Sequence, residues 1–503
     1  MSDRLARFFG VQDQPKRVKS LVRKSALFNP LFAVTFMMSS TFLAVHIAEV
    51  LAGPAYYLTL GLALVGNLAF VQSIVQLVLD YPTGGLGDWV GQRWILLTAF
   101  LCIGAASIYT AFATTLLEFL FIYVLQGIGF AQLSGAFGAW WDTNYRAVAD
   151  DPDRSVYSVI MGKVGMIFQI ASTLSLIPGA ILADLISRQG VFVLQGGLAL
   201  FLGFACLALL RDYPEVAENR PRRSLREYYG VLRDGLKYSV SSKFVFFFLI
   251  GTVLAMSTIS VWANLILFGI YYSFLYEDKA VALFRTLLYI VGIISLERAG
   301  VWTRKLNPAR WIAFFAFLQS GGAVFYFAFA FITATLPSLL VNGVAVPFPW
   351  MFFQLPALIV CLTFVFTGIF DGALSVLQQR LVLDLIPDRS RNSLYSLFPT
   401  LTLIFAAPQL IFFSGILPIF GPSPILIGLS LISTSGCLLI ALGMYFRPKT
   451  KKLEEPVKEE ALTPETDSTQ AELEPAPEGL GEPPPEEALE PPEERTSEVK
   501  DNK

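Results

Sequence analysis

The chain's only histidine, His46, stands three residues before Glu49. On a helix that spacing puts imidazole and carboxylate on one face. A histidine there titrates near neutral pH, so the pair could sense protons; the plainer reading is two polar groups at a helix end. Arg285 lies in another apolar run, where a guanidinium holds an anionic solute group or snorkels outward along its own stem. Lys163 is expected to snorkel, and Asp371 to line an inner cavity or pair with Arg380. Uncharged hydrogen-bonding groups are spread through the same kind of run: Gln72, Gln76, Gln132, Gln169 and Asn264. They suit a solute site better than bond-breaking chemistry. No zinc spacing, nucleophile elbow or acid-rich phosphate site is present, which argues against an enzyme, and no cofactor motif is evident.

The elements that must position these groups follow from composition. Of 503 residues, 54% are hydrophobic and 15% charged, with a mean hydropathy of +0.59. An ordinary globular chain is about 25% charged. Apolar runs of about 20 residues recur, the length that a bilayer core of about 30 Å asks of a helix. The reading is an all-α integral membrane protein with lipid as its surroundings and no nucleic-acid partner. Cys102, Cys206, Cys361 and Cys437 all fall inside apolar runs with no metal or disulfide spacing, and serve as small apolar fillers. The cationic stretch Met1–Lys24 precedes a run too long for a cleaved signal and is read as leading into an uncleaved first span.

Runs and breakers predict twelve spans, near 28–50, 60–83, 94–114, 117–141, 157–183, 190–210, 243–273, 280–299, 311–335, 351–376, 394–418 and 422–446. Lysine and arginine concentrate in every second loop, with Arg188 and Lys279 as the exceptions. By the positive-inside rule both termini are cytoplasmic, in what is expected to be the plasma (inner) membrane. The organisation expected is a basic N-terminus (1–27), a six-helix half (28–210), a cytoplasmic linker (211–242), a second six-helix half (243–447) and a tail (448–503). Leu225, Tyr229, Leu232 and Leu236 give the linker an amphipathic helical pattern. "PDRS" follows span four at Pro152–Ser155 and span ten at Pro387–Ser390, as two parallel six-helix repeats require. Residues 451–503 hold 6 basic and 17 acidic residues, a balance of −11, so the remainder, with 31 basic against 22 acidic, carries +9. That Pro/Glu-rich tail cannot bury enough apolar surface to fold and is expected to be disordered.

Between spans two and three lies "DYPTGGLGDWVGQRW". Pro82, Gly84, Gly85 and Gly87 permit a tight exit there. Gly84, Asp88, Gly91 and Arg93 resemble the loop signature of the major facilitator superfamily, with Gln92 where a basic residue is often found. The resemblance extends over about 28–447. It implies twelve transmembrane helices in two parallel repeats and transport of a small-molecule substrate by alternating access. It also implies a conformational latch, with Asp88 facing the start of span eleven near Asn392 and Ser393, where a helix N-terminus favours an anion. Arg93 would then pair with Asp142 at the end of span four.

Two features depart from that family's drug–proton antiporters. Tyr123 occupies the place of an arginine before Gln126-Gly127, and "LIPGAIL" in span five lacks a clear Gly-Pro pattern. Gly127, Ala131, Gly135 and Ala139 form a small-residue stripe for close helix packing in span four. The resulting expectation is a secondary transporter of a small organic solute, coupled to a proton or sodium ion. The alternative is a non-transporting receptor or scaffold whose acidic tail docks partners.

Overall fold

The computed structural model describes residues 3–151, 155–218, 242–303, 306–335, 350–385 and 388–447, with isolated positions in 233–240. Both "PDRS" copies are cut by this boundary; most of the linker and all of the tail lie outside the described residues. Residues 1–454 belong to one compact unit.

Every regular element among the described residues is helical. Ten stretches are long and apolar enough to cross a bilayer. One of these, Val159–Leu209, is two spans, because the helix Ser155–Leu209 reverses at Ser187 (φ 75°, ψ 160°). The first span is broken into Lys16–Met37, whose first turns carry five cations, and Leu43–Ala52, which is only 10 residues long. The segments therefore count as twelve. Large apolar side chains such as Leu174, Leu185, Phe201, Phe327 and Leu431 are exposed around the bundle, a pattern stable only against lipid.

Three further spans are interrupted. Span four is Leu116–Leu133 and Ala136–Val148. Span seven, Lys243–Val261 and Leu267–Leu275, is joined by a π-helical turn at Trp262–Ile266. Span nine is Pro308–Leu318 and Ala323–Thr335. Spans two, three and eight are Leu62–Val90, Gln92–Thr110 and Asp278–Trp302. Spans ten, eleven and twelve are Leu355–Leu385, Asp388–Phe420 and Pro422–Tyr445.

The predicted exit at Pro82–Gly87 is not where the chain turns. Helix continues through those residues to Val90, and the reversal falls on Gly91 alone, at φ 95°, which only glycine adopts cheaply. The stripe in span four also divides in purpose. A side chain at Gly127 would meet the Gln72 carbonyl and Val75 of span two, as close packing requires. Gly135, at φ 77°, marks the break in the helix instead.

Packing differs between the two sides of the bundle. On the far side, opposite the chain's ends, one core joins both sets of six spans, including Phe42, Leu68, Trp262, Tyr271, Phe284 and Leu417. On the terminal side the described residues form separate cores. One, around Phe28, Phe100, Trp140 and Trp141, belongs to spans one to six and the N-terminal helix Asp3–Phe9. Another, around Phe244, Ile312, Leu377 and Ile440, belongs to spans seven to twelve.

Candidate functional site

A cavity of about 230 Å³ opens where the helices are interrupted. Ser39 and Ser40 reach it from the break in span one, and Asn264 from the π turn of span seven. Unwound helix at membrane depth is tolerated where it lines a cavity, and π turns often mark functional positions. Span two supplies Gln72, span four Tyr123 and Gln126, and span six Phe192 and Gln195. No lining residue carries a formal charge. Gln195 is 7% exposed, and its Oε1 is buried without a hydrogen-bond partner.

Above this cavity, at the far-side mouth, lies an ion cluster. Arg188 of span six donates two parallel bonds to Asp278 of span eight, at 2.8 and 2.7 Å, and a third to Glu49 of span one at 2.6 Å. Tyr272 also donates to Asp278, and Lys279 pairs with Asp184. Arg188 and Asp278 side chains are only 20% and 16% exposed. Two of these ion pairs tie spans five and six to span eight. A bidentate guanidinium–carboxylate pair gives both strength and direction. The two cations that broke the loop-charge pattern are therefore the two that clamp this mouth. Arg188, Phe192 and Gln195 are spaced four and three residues apart on one helix, so clamp and cavity share a face of span six.

The candidate residues separate into several groups. Gln72 and Asn264 meet in the cavity. Gln132 does not join them; it accepts from the Thr98 hydroxyl at 2.7 Å, tying span four to span three. Gln169 bonds Thr173 of its own helix at 3.5 Å. Gln76 is half-buried one turn along from Gln72 and is not among the cavity's lining residues. His46 and Glu49 do not pair, because Arg188 takes Glu49; His46 is buried with its ring 5.0 Å from that of Phe192.

Arg285 is held within the bundle. Its Nε and Nη2 donate to the Tyr289 hydroxyl at 2.9 and 2.5 Å, and its guanidinium lies over the rings of Phe268 and Tyr289. Lys163 does not snorkel freely but donates to the Phe8 carbonyl and covers the Phe8 ring, docking the N-terminal helix on span five.

Asp371 neither lines this cavity nor is seen paired with Arg380, whose side chain lies outside the described residues. It accepts from the Ser320 backbone N–H at 2.8 Å, in the break of span nine. Asp371→Ala should therefore orphan that N–H and cost about 1–3 kcal/mol. Asp371→Asn, which keeps an acceptor, should cost less; thermal unfolding in detergent separates the two.

On the terminal side, the side chains at Gly84, Asp88, Asn392 and Ser393 lie outside the described residues. Gly91 makes the reversal, and Arg93 lies over the Trp94 ring with its Nε buried and unpartnered. The expected Arg93–Asp142 pair is replaced: Asp142 pairs with Arg146, one turn on along its own helix, at 2.8 Å. Sequence reasoning passed over Asp80. Its half-buried carboxylate accepts from Thr400 of span eleven at 3.3 Å and from Ser134 at the break of span four. Just past span six, Asn144 of span four donates to Asp212 at 3.0 Å and accepts from the Tyr213 N–H at 2.9 Å. Burial pushes the Tyr213 phenol above its ordinary range, and its hydroxyl donates to the Arg17 carbonyl.

Comparisons with known proteins agree with this architecture. The family described as Major Facilitator Superfamily matches residues 26–355. The multidrug transporter MdfA of Edwardsiella ictaluri is 29% identical over 161 residues, 31% of this chain and 37% of that protein's length. The crystal structure of the nucleoside transporter NupG (D323A mutant) aligns at TM-score 0.60 and 13% identity, covering 84% of this chain and 99% of its own. The partially occluded inward-open xylose transporter XylE from E. coli aligns at TM-score 0.60 and 11% identity, covering 85% and 97%. At that identity the structural likenesses establish the fold. With the family match running through both sets of spans, they make this chain an integral membrane protein of the Major Facilitator Superfamily.

Proposed function

We propose that the chain is a secondary transporter that moves a small organic solute by alternating access. The observation that carries this reading is the Arg188–Asp278 clamp, which closes one mouth over a polar cavity. The single core joining both sets of spans on that side supports it; among the described residues the terminal-side cores stay within each set, with the Asp80–Thr400 bond as a tie between them. A receptor or scaffold has no need of a clamp built from breakable ion pairs.

The working parts are then the two six-helix halves, 28–210 and 243–447, rocking about the central cavity. With both termini cytoplasmic in the plasma (inner) membrane, the clamp is the outer gate and the conformation faces inward. The loop carrying Asp88 and Arg93 acts as the opposing latch when the inner side closes. A coupled proton or sodium ion fits Asp80, where hydroxyls from spans four and eleven meet one carboxylate.

Purified protein reconstituted in liposomes should take up solute saturably, faster with an imposed ion gradient than without. Asp88→Asn should change the rate of uptake with expression unaltered. Uptake that never rises above protein-free vesicles for any solute class would sink the reading in favour of the scaffold.

A further inference from the structure

We propose that the open groove between the start of span seven and the end of span twelve seats one anionic phospholipid, with its phosphate on Lys243 and Arg447 and an acyl chain among the phenylalanines. The groove stands apart from the solute cavity. Lys243 lies 21 residues before Asn264, roughly 30 Å along the same span.

The packing of the two spans shapes the groove. Glycines draw them into backbone contact: a side chain at Gly436 would meet the Gly251 carbonyl at 2.7 Å, and one at Gly443 the Phe248 nitrogen at 2.9 Å. Small residues let helix backbones approach in this way. Past Gly443 an opening of about 360 Å³ is left, lined by Val240, Lys243, Phe246, Phe247, Leu442 and Phe446. Val240, Phe246, Leu442 and Phe446 are exposed, as is Tyr445 beside them. A contiguous apolar patch of this kind is stable against acyl chains and not against water.

Charge selects which lipid. Lys243 is the first residue of span seven, and its ammonium lies 5.4 Å from the centre of the Phe446 ring, which stacks on Phe247. That contact holds the cation over the groove. Arg447 follows Phe446 directly and is exposed. In the linker, Arg233, Lys237 and Val240 are helical and exposed, and their spacing of four and three residues puts them on one face. Two more cations therefore lead toward the groove through Val240. Among the described residues no carboxylate pairs with any of these four cations. A basic pocket between spans at the membrane surface, open to acyl chains, is complementary to a headgroup of net negative charge. A zwitterionic headgroup carries its own cation and gains less there.

The test is native mass spectrometry of the purified full chain in detergent, titrated with dioleoyl phosphatidylglycerol, with dioleoyl phosphatidylcholine and with inorganic phosphate. Expected is one saturable phosphatidylglycerol adduct, about 30-fold tighter than phosphatidylcholine, the preference that two Lys/Arg contacts to an anionic headgroup give. Inorganic phosphate should not displace it. Lys243→Gln with Arg447→Gln should erase the preference, and Val240→Trp, which fills the chain's seat, should weaken both lipids. These side chains are exposed, so the melting temperature should stay at the wild-type value. Arg4→Gln with Arg7→Gln, exposed on the same side of the bundle, is the control and should leave the preference intact. An equal loss in that control would reduce the effect to the general charge of the surface and overturn the site. Equal affinity for the two lipids, or undiminished binding in both groove variants, would overturn it as well. Displacement of the lipid by inorganic phosphate would assign the cations to a free anion instead. Residues 1–454 form one compact unit, so a chain ending at Glu454 tests the acidic tail as the competing occupant. Lipid taken up by that chain and refused by the full one would give the groove to the tail, and a dimer in place of the lipid adduct would give it to a second copy.

Discussion

Replacing Arg188 with glutamine should open the far-side mouth. Arg188 makes three charge-assisted bonds, two to Asp278 and one to Glu49. Such bonds contribute about 1.5–3 kcal/mol each when shielded. These side chains are partly wet, and water replaces part of what is lost, so the net effect is discounted to about 2 kcal/mol for the whole cluster. That shifts a closed-to-open ratio about 30-fold. The effect exceeds loss of attraction, because Asp278 and Glu49 are then left as neighbouring anions without their cation.

A cysteine at Ser39, on the cavity wall beneath the clamp, reports the change. In a chain whose four native cysteines are replaced, an impermeant maleimide added outside should label it about 30-fold faster in Arg188→Gln. The exchanged pair, Arg188→Asp with Asp278→Arg, should restore slow labelling. Equal rates in all three would mean that the apolar core beneath Phe42 seals the mouth without help from the ions.

The second large effect is steric. A methyl group at Gly179 would overlap the backbone carbonyl of Met38, at the break of span one. Both partners are backbone, so neither can swing aside as a long side chain does. Gly179→Ala should cost about 3 kcal/mol or more, at the upper end for overpacked sites. Melting of the purified protein should fall accordingly, with the polar break of span one disturbed and uptake lost. Gly162→Ala and Gly165→Ala, on the same helix with nothing within 4 Å, are the controls. They should be neutral or stabilising, since alanine is about 1 kcal/mol better than glycine in a helix. A wild-type melting temperature for Gly179→Ala would mean that spans one and five are not packed this closely.

Span number and order were legible because each span must satisfy its own backbone in lipid, and that imposes length and hydropathy on the sequence. The interruptions were not. "MMSSTFL" continues an apolar run, and the break at 38–42 falls where Gly179, some 140 residues away, lets span five approach the Met38 backbone. The π turn at Trp262–Ile266 likewise has no local signature; Trp262 packs against Phe325, Tyr326 and Phe329 of span nine. Intramembrane polarity drew attention to Gln72 and Asn264, which line one cavity, but could not tell a cavity wall from a helix-to-helix tie such as Gln132–Thr98. The clamp did leave a trace, in the misplaced cations Arg188 and Lys279. Their partners, Glu49, Asp278 and Asp184, become visible only when spans 90 to 139 residues apart are brought together.

The reversal at Ser187 leaves no slack at the mouth. Arg188 follows it directly, and Asp278 is the first residue of span eight, two positions after Tyr276. The clamp's two poles are thus mounted on the ends of rods rather than on tethers. Parting them requires whole helices to lean, displacing acyl chains along their full length. In the proposed transport cycle, the speed of turnover then becomes a property shared with the surrounding lipid. A stiffer or thicker bilayer acts as a brake on the cycle, applied nowhere near the cavity.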